Sequence, residues 1–167
     1  MPNQNERTQY LLPSWRFKQI SELATRIFIE EEFFRKDFDT VRMLESKDIN
    51  VLKYSKFSEA NLKKMQKFNV SFWKEGLCLV QSDSDGKHKL KMIAYDDTKD
   101  DIHKFIILMH EFSHIILEHS QQSVNGEAEA NVFTTAMLML QMIFMNKKLH
   151  DFVEVHFKGV KSDENCA

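Results

Sequence analysis

Glycine and proline are scarce: four and two in 167 residues. That scarcity excludes collagen-like, proline-rich and flexible-linker architectures, and it favours helices joined by short polar connections. Cysteine is almost absent too. Cys78 lies in an apolar run and Cys166 at the extreme end, which makes no disulfide framework and points to a reducing, cytoplasmic setting. Charge of one sign is missing, since 23 basic and 25 acidic residues give a formal net charge of -2 with no basic run of five. Direct nucleic-acid binding therefore has no electrostatic support. No basic-then-apolar signal pattern opens the chain, and no segment is expected to reach the length of a membrane span. Without repeats or low-complexity tracts, the chain reads as a single domain over 1–167, with 1–12 and 160–167 loose. A hydrophobic content of 43% suffices for one core.

What is present is helical periodicity around a strand-rich middle. Phe17, Ile20, Leu23, Ala24 and Ile27 recur at helical spacing behind Pro13-Ser14 and predict a helix over about 15–32. A short helix is expected over 38–46, a strand over 49–52, and a third helix over 58–68 with Leu62 and Met65 inward. Residues 76–81 read as a continuous apolar strand and 87–95 as an alternating one. Asp83-Ser84-Asp85-Gly86 between them is a hairpin signal. The order implies an α+β fold, a small antiparallel sheet packed against several helices.

The chemistry concentrates in His110-Glu111-Phe112-Ser113-His114, an H-E-x-x-H pattern. Histidines four apart lie one helical turn apart on one face, so both imidazoles can close on a single metal ion. Glu111, next to the first histidine, then points beside the ion, where a bound water lies. The surroundings read as a helix. Thr98 is a plausible N-cap with Asp101 completing a capping box, and Ile102, Phe105, Ile106, Met109, Phe112 and Ile116 follow at helical spacing. Ile107, Leu108 and Ile115 widen the apolar surface, so this helix is expected in the core with its polar motif facing into the fold. Two histidines and a carboxylate are costly there without a partner, and a metal is the expected one. The plain alternative is a pair of core histidines satisfied by hydrogen bonds.

A zinc site of this kind takes a third protein ligand and leaves a position for water. Downstream, Asn125-Gly126 breaks the chain, and a helical run opens at Glu127-Ala128-Glu129-Ala130-Asn131 and continues through Phe133, Ala136, Met137, Leu140 and Phe144. An E-x-x-x-N/D pair after H-E-x-x-H resembles the thermolysin-like zincins. That likeness implies Glu127 as the third ligand and Asn131 as the residue that orients a ligand histidine. Glu129 is the alternative ligand, and both glutamates also suit a first helical turn on dipole grounds alone. On a wider span, H-E-F-S-H-I-I-L-E-H followed by E-A-E-A-N-V-F-T-T-A-M-L-M resembles the ImmA/IrrE metallopeptidases, clearest over about 38–140. Their usual pattern is H-E-x-G-H with a nearby histidine, then E-x-E-A-N/D-x-F-A-x-x-L-L-M-P. Three residues depart from it: Ser113 for glycine, Thr134 for alanine and Leu140 for the terminal proline.

The resemblance implies a zincin-like fold and a zinc-dependent endopeptidase with Glu111 as general base. One zinc ion is preferred because a His2Glu set with an open position suits it. The implied substrate is a protein, a helix-turn-helix transcriptional repressor often encoded beside the protease on mobile elements, with no membrane partner. Tyr95 and His119, the latter matching a recurrent family histidine, are candidate oxyanion or substrate contacts, with packing the plain reading of Tyr95. The strand over 89–95 is expected to border the cleft and lend an edge to an extended peptide. His103 is placed to border the cleft, whereas His88, His150 and His156 read as surface or packing residues and the methionines as core filling. The competing reading is a metal-containing binding protein that sequesters a regulator without cutting it. A closed structural site of that kind would take a fourth ligand such as His119 or Glu129.

Overall fold

Pro13 starts the first helix of the computed structural model, which describes residues 12–82 and 89–146. The hairpin residues 83–86, His88, His150, His156, Cys166 and the alternation Val153-Val155-Phe157 lie outside that range. Proline suits a helix start because its fixed φ fits and its missing N–H is not needed there. Helix α1 (Ser14–Glu30) buries Ile20, Ala24 and Phe28, spaced by four. Phe17, expected inward, lies a turn earlier off that line and is exposed. Glu32 leaves the helix at φ 55, and Phe33 folds back between Phe28 and Phe38.

Asp39 caps α2 (Thr40–Glu45) by accepting from the Val41 and Arg42 N–H groups, so this helix is shorter than the 38–46 expected. Strand β1 (Ile49–Lys53) follows. Ser58 caps α3 (Glu59–Met65), which buries nothing fully, so Leu62 and Met65 only half satisfy their expected inward positions. Strands β2 (Gly76–Ser82) and β3 (Lys89–Tyr95) complete a sheet of order β1-β3-β2.

Among the described residues the architecture is α+β, with three strands and five α-helices. The sheet corrects the all-antiparallel expectation. β3 runs antiparallel to β2, with Ile93 opposite Cys78, but parallel to β1, with Ile93 opposite Val51. The long connection through α3 carries β2 to the far edge, and the chain then returns along the middle in the direction of β1. Because β3 is central, its backbone is paired on both sides and it offers no free edge to a peptide. The edges belong to β1 and β2.

Helix α4 (Asp101–Ile116) lies between the sheet and α5 (Val124–Met145), with α1 against α5. Every residue from Ile107 to Ile115 is buried, as its broad apolar surface requires. Its cap is Asp100, which accepts from the His103 N–H, and not Thr98. Thr98 instead donates both its N–H and its hydroxyl to Asp96, which holds it in a turn before the helix. The His103 ring pairs with Asp100 at this exposed start, away from the motif.

Asn125-Gly126 does not break the chain. Ser123 caps α5 by accepting from the Gly126 N–H, which puts the glycine in the first turn. With leucine where the family carries proline, α5 continues unbroken past Leu140 to Met145. It is long and apolar enough to cross a membrane by length and composition, contrary to the expectation that no segment is. In the fold its Ala130, Phe133 and Met137 face is buried.

Candidate metal centre

Helix α4 presents His110 and His114 on one face, one turn apart, toward the first turn of α5, where Glu127 stands. The two Nε2 atoms are 3.3 Å apart; Glu127 Oε2 lies 3.3 Å from His110 Nε2 and Oε1 lies 3.4 Å from His114 Nε2. Donors bound at about 2.0–2.1 Å to a tetrahedral ion sit about 3.3 Å from one another. The three separations are each of that size, with the two histidines facing different oxygens of Glu127. These three side chains form a group that could hold a metal ion. Burial works to raise the Glu127 carboxyl, but the facing His110 and His114 rings and the Phe72 N–H outweigh it and hold it well below the usual carboxylate range.

Glu111 lies beside this triangle and is completely buried, with neither carboxylate oxygen hydrogen-bonded. Burial pushes its carboxyl well above the ordinary value; the Ser71 hydroxyl lies near enough to oppose this but outside hydrogen-bonding geometry. A buried carboxylate without donors is costly, and a cation next to it with a hydrated open position removes that cost. The orphaned oxygens thus fit a metal at the triangle. Gly76, the first residue of β2, makes the room: a Cβ there would collide with the Glu111 carboxylate.

The segment 69–75 between α3 and β2 lies over the site. Asn69, buried, ties it down with four bonds. Its Oδ1 accepts from the Ser71 and Cys78 N–H groups at 3.1 and 2.8 Å, and its Nδ2 donates to the Trp73 and Gly76 carbonyls at 3.3 and 3.2 Å. The Phe72 N–H donates to Glu127 Oε1 at 2.8 Å. Gln122, just before α5, donates to the Ser71 carbonyl, and the Tyr54 hydroxyl donates to that of Lys74. Sequence reasoning missed all of these residues. Asn69 carried the one available signal, a polar residue between a helix and an apolar strand, where side chains cap backbone groups.

Behind His114 runs a chain of polar contacts. His114 Nδ1 lies 2.8 Å from His119 Nδ1, and His119 Nε2 lies 3.1 Å from Glu129 Oε2. Glu129 in turn accepts from Arg16 of α1 at both oxygens, Nε to Oε1 at 2.8 Å and Nη2 to Oε2 at 2.6 Å. The Arg16 hydrogen bonds hold the Glu129 carboxyl below its ordinary value, and burial lowers His119. Glu129, the alternative ligand, is thus engaged on the far side of His114 and does not join the triangle. His119 touches the back of a ligand ring and not the face where a substrate would lie. Asn131 is exposed, and the described contacts of His110 and His114 run to each other, to Glu127, to Trp73 and to His119 instead.

Tyr95 is nearly buried at the end of β3 in the core cluster. It adjoins Asp39, Phe105 and Leu108 and not the triangle. Burial raises its hydroxyl pKa, with Asp97 and Asp39 adding to the effect. Tyr54 is the tyrosine whose hydroxyl, raised first by burial, also senses the charge of Glu111. The departures from the family pattern are absorbed by the helices that carry them. The Ser113 hydroxyl donates to the His110 carbonyl and that of Thr134 to the Ala130 carbonyl, at 2.6 and 2.7 Å. Comparison with known proteins finds no matching family model, curated protein or solved structure, so the family likeness rests on the motif residues themselves.

Proposed function

We propose that this chain is a zinc-dependent endopeptidase of zincin type, acting in the cytoplasm on a regulatory protein. The observation that carries the reading is the triangle of His110, His114 and Glu127 beside an unpartnered, fully buried Glu111. His110 and His114 hold the ion through Nε2 and Glu127 through its carboxylate. When bound, zinc supplies Lewis acidity and a water acidified toward neutrality. Glu111 accepts the proton from the attacking water, its basicity raised by burial, and returns it to the leaving amine. Zinc is favoured because two imidazoles and one carboxylate with a fourth position open suit a tetrahedral ion, and they offer few oxygens for manganese.

A closed structural site would need a fourth ligand. The two candidates, His119 and Glu129, are bonded to each other and to Arg16 behind His114, which favours an open site and so an enzyme over a sequestering protein. The substrate class follows from the motif likeness: a helix-turn-helix repressor encoded nearby, cut in an extended stretch. The test is to incubate the zinc-loaded chain and Glu111→Gln with such repressors and read fragments by mass spectrometry. One discrete cut by the wild type, none by a Glu111→Gln variant that still binds zinc, is expected. Broad cleavage of unrelated proteins would contradict the regulatory reading, and cleavage by Glu111→Gln would contradict the base assignment.

A further inference from the structure

With both imidazoles neutral, the contacts behind His114 leave one consistent placement of protons. Glu129, bridged to Arg16 at both oxygens, is an acceptor only. His119 Nε2, 3.1 Å away, must then carry the hydrogen it donates. A neutral imidazole has one N–H, so His119 Nδ1 is an acceptor. The His114 Nδ1, 2.8 Å from it, must therefore be the donor. That leaves His114 Nε2, 3.4 Å from Glu127 Oε1, without a hydrogen and with its lone pair free to bind a cation.

We propose that Arg16, Glu129 and His119 form a positioning relay that locks the His114 proton on Nδ1 and turns Nε2 toward the metal. The proposal rests on the reading of His110, His114 and Glu127 as a metal centre. It departs from the expectation of a direct contact from Asn131 and gives His119 a role behind the ligand instead of at the substrate. The fold is shaped for it. Gly126 lies where a Cβ would sit 2.9 Å from Ser123 Oγ, so a side chain there would push on the helix cap, while the His119 ring packs at contact distance, 3.4 Å to Nδ1. Arg16 stands on α1, in the first turn, so the docking of α1 on α5 and the setting of the ligand are one event. His110 has no such support, since its Nδ1 is without a hydrogen-bond partner and its ring is held by stacking on Trp73. The relay therefore acts on one ligand only.

Two measurements test this. The first is 15N NMR of the histidine side chains in the metal-free full chain at mildly alkaline pH. His119 is expected with its hydrogen on Nε2 and His114 with one on Nδ1; a hydrogen on His119 Nδ1 overturns the relay. The second is zinc affinity, by competition with a chromophoric chelator, for wild type, His119→Leu and His119→Gln. Leucine removes the acceptor and is expected to weaken zinc binding about 10- to 100-fold. Glutamine keeps an acceptor oxygen and is expected to recover most of that loss. Equal affinity of wild type and His119→Leu, or equal weakness of the two variants, overturns the proposal. A wild type that binds no zinc would refute the metal-centre reading, while the NMR result would still decide the relay.

Discussion

The indole of Trp73 lies flat on the imidazole of His110, with centroids 4.2 Å apart and planes 5° from parallel. One residue earlier, the Phe72 N–H occupies Glu127 Oε1. The same segment that orients two ligands thus covers the site, and His110, Glu111 and His114 are all buried beneath it. On the proposed peptidase reading, a peptide would reach the buried Glu111 carboxylate when 69–75 shifts. Hydrogen exchange should read that shift: a peptide hydroxamate added to the zinc-loaded chain is expected to speed exchange of the Phe72 amide and to slow that of α4. Unchanged exchange at Phe72 with inhibitor bound would show that substrate enters by another route.

Asn69 holds this segment with all of its side-chain hydrogen-bonding groups turned inward. Asn69→Ala leaves buried backbone donors and carbonyls without partners, a loss of about 3 kcal/mol. For a chain of this size that lowers the melting temperature by about 6–12 °C. A drop under about 2 °C would mean that water or a local rearrangement satisfies those groups.

Gly76 leaves the room that Glu111, the proposed general base, occupies. Gly76→Ala is expected to displace the Glu111 carboxylate while the three ligands stay in place. Zinc affinity should then remain near that of wild type while peptide hydrolysis falls about 100-fold, the scale of a misplacement of about 1 Å. Joint loss of zinc and activity would show that the ligands move too. Full activity would show that Glu111 has another productive position.

The helical site was legible in the sequence because its information is local. Spacing of four put His110 and His114 on one face, and Ile107, Leu108 and Ile115, apolar beyond the main stripe, announced a helix covered on most sides. Contacts made by distant segments were not legible. Nothing about Arg16 foretells that it meets Glu129, 113 residues away, and the motif likeness drew the orienting role to Asn131, which faces solvent. Sheet order failed for a related reason. Alternation in 89–95 marks a strand but carries no label for its neighbours, and only the long path from β1 to β2 makes β3 central. Thr98 lost the cap to Asp100 because Asp96 captured it first.

Anomalous diffraction at the zinc edge, from crystals of the zinc-loaded chain, tests the central claim most directly. The account predicts one ion about 2.0–2.2 Å from His110 Nε2, His114 Nε2 and a Glu127 oxygen, a fourth position free of protein, and Glu111 alongside without binding the ion. An ion located elsewhere, or one held at that fourth position by His119 or Glu129, would contradict it.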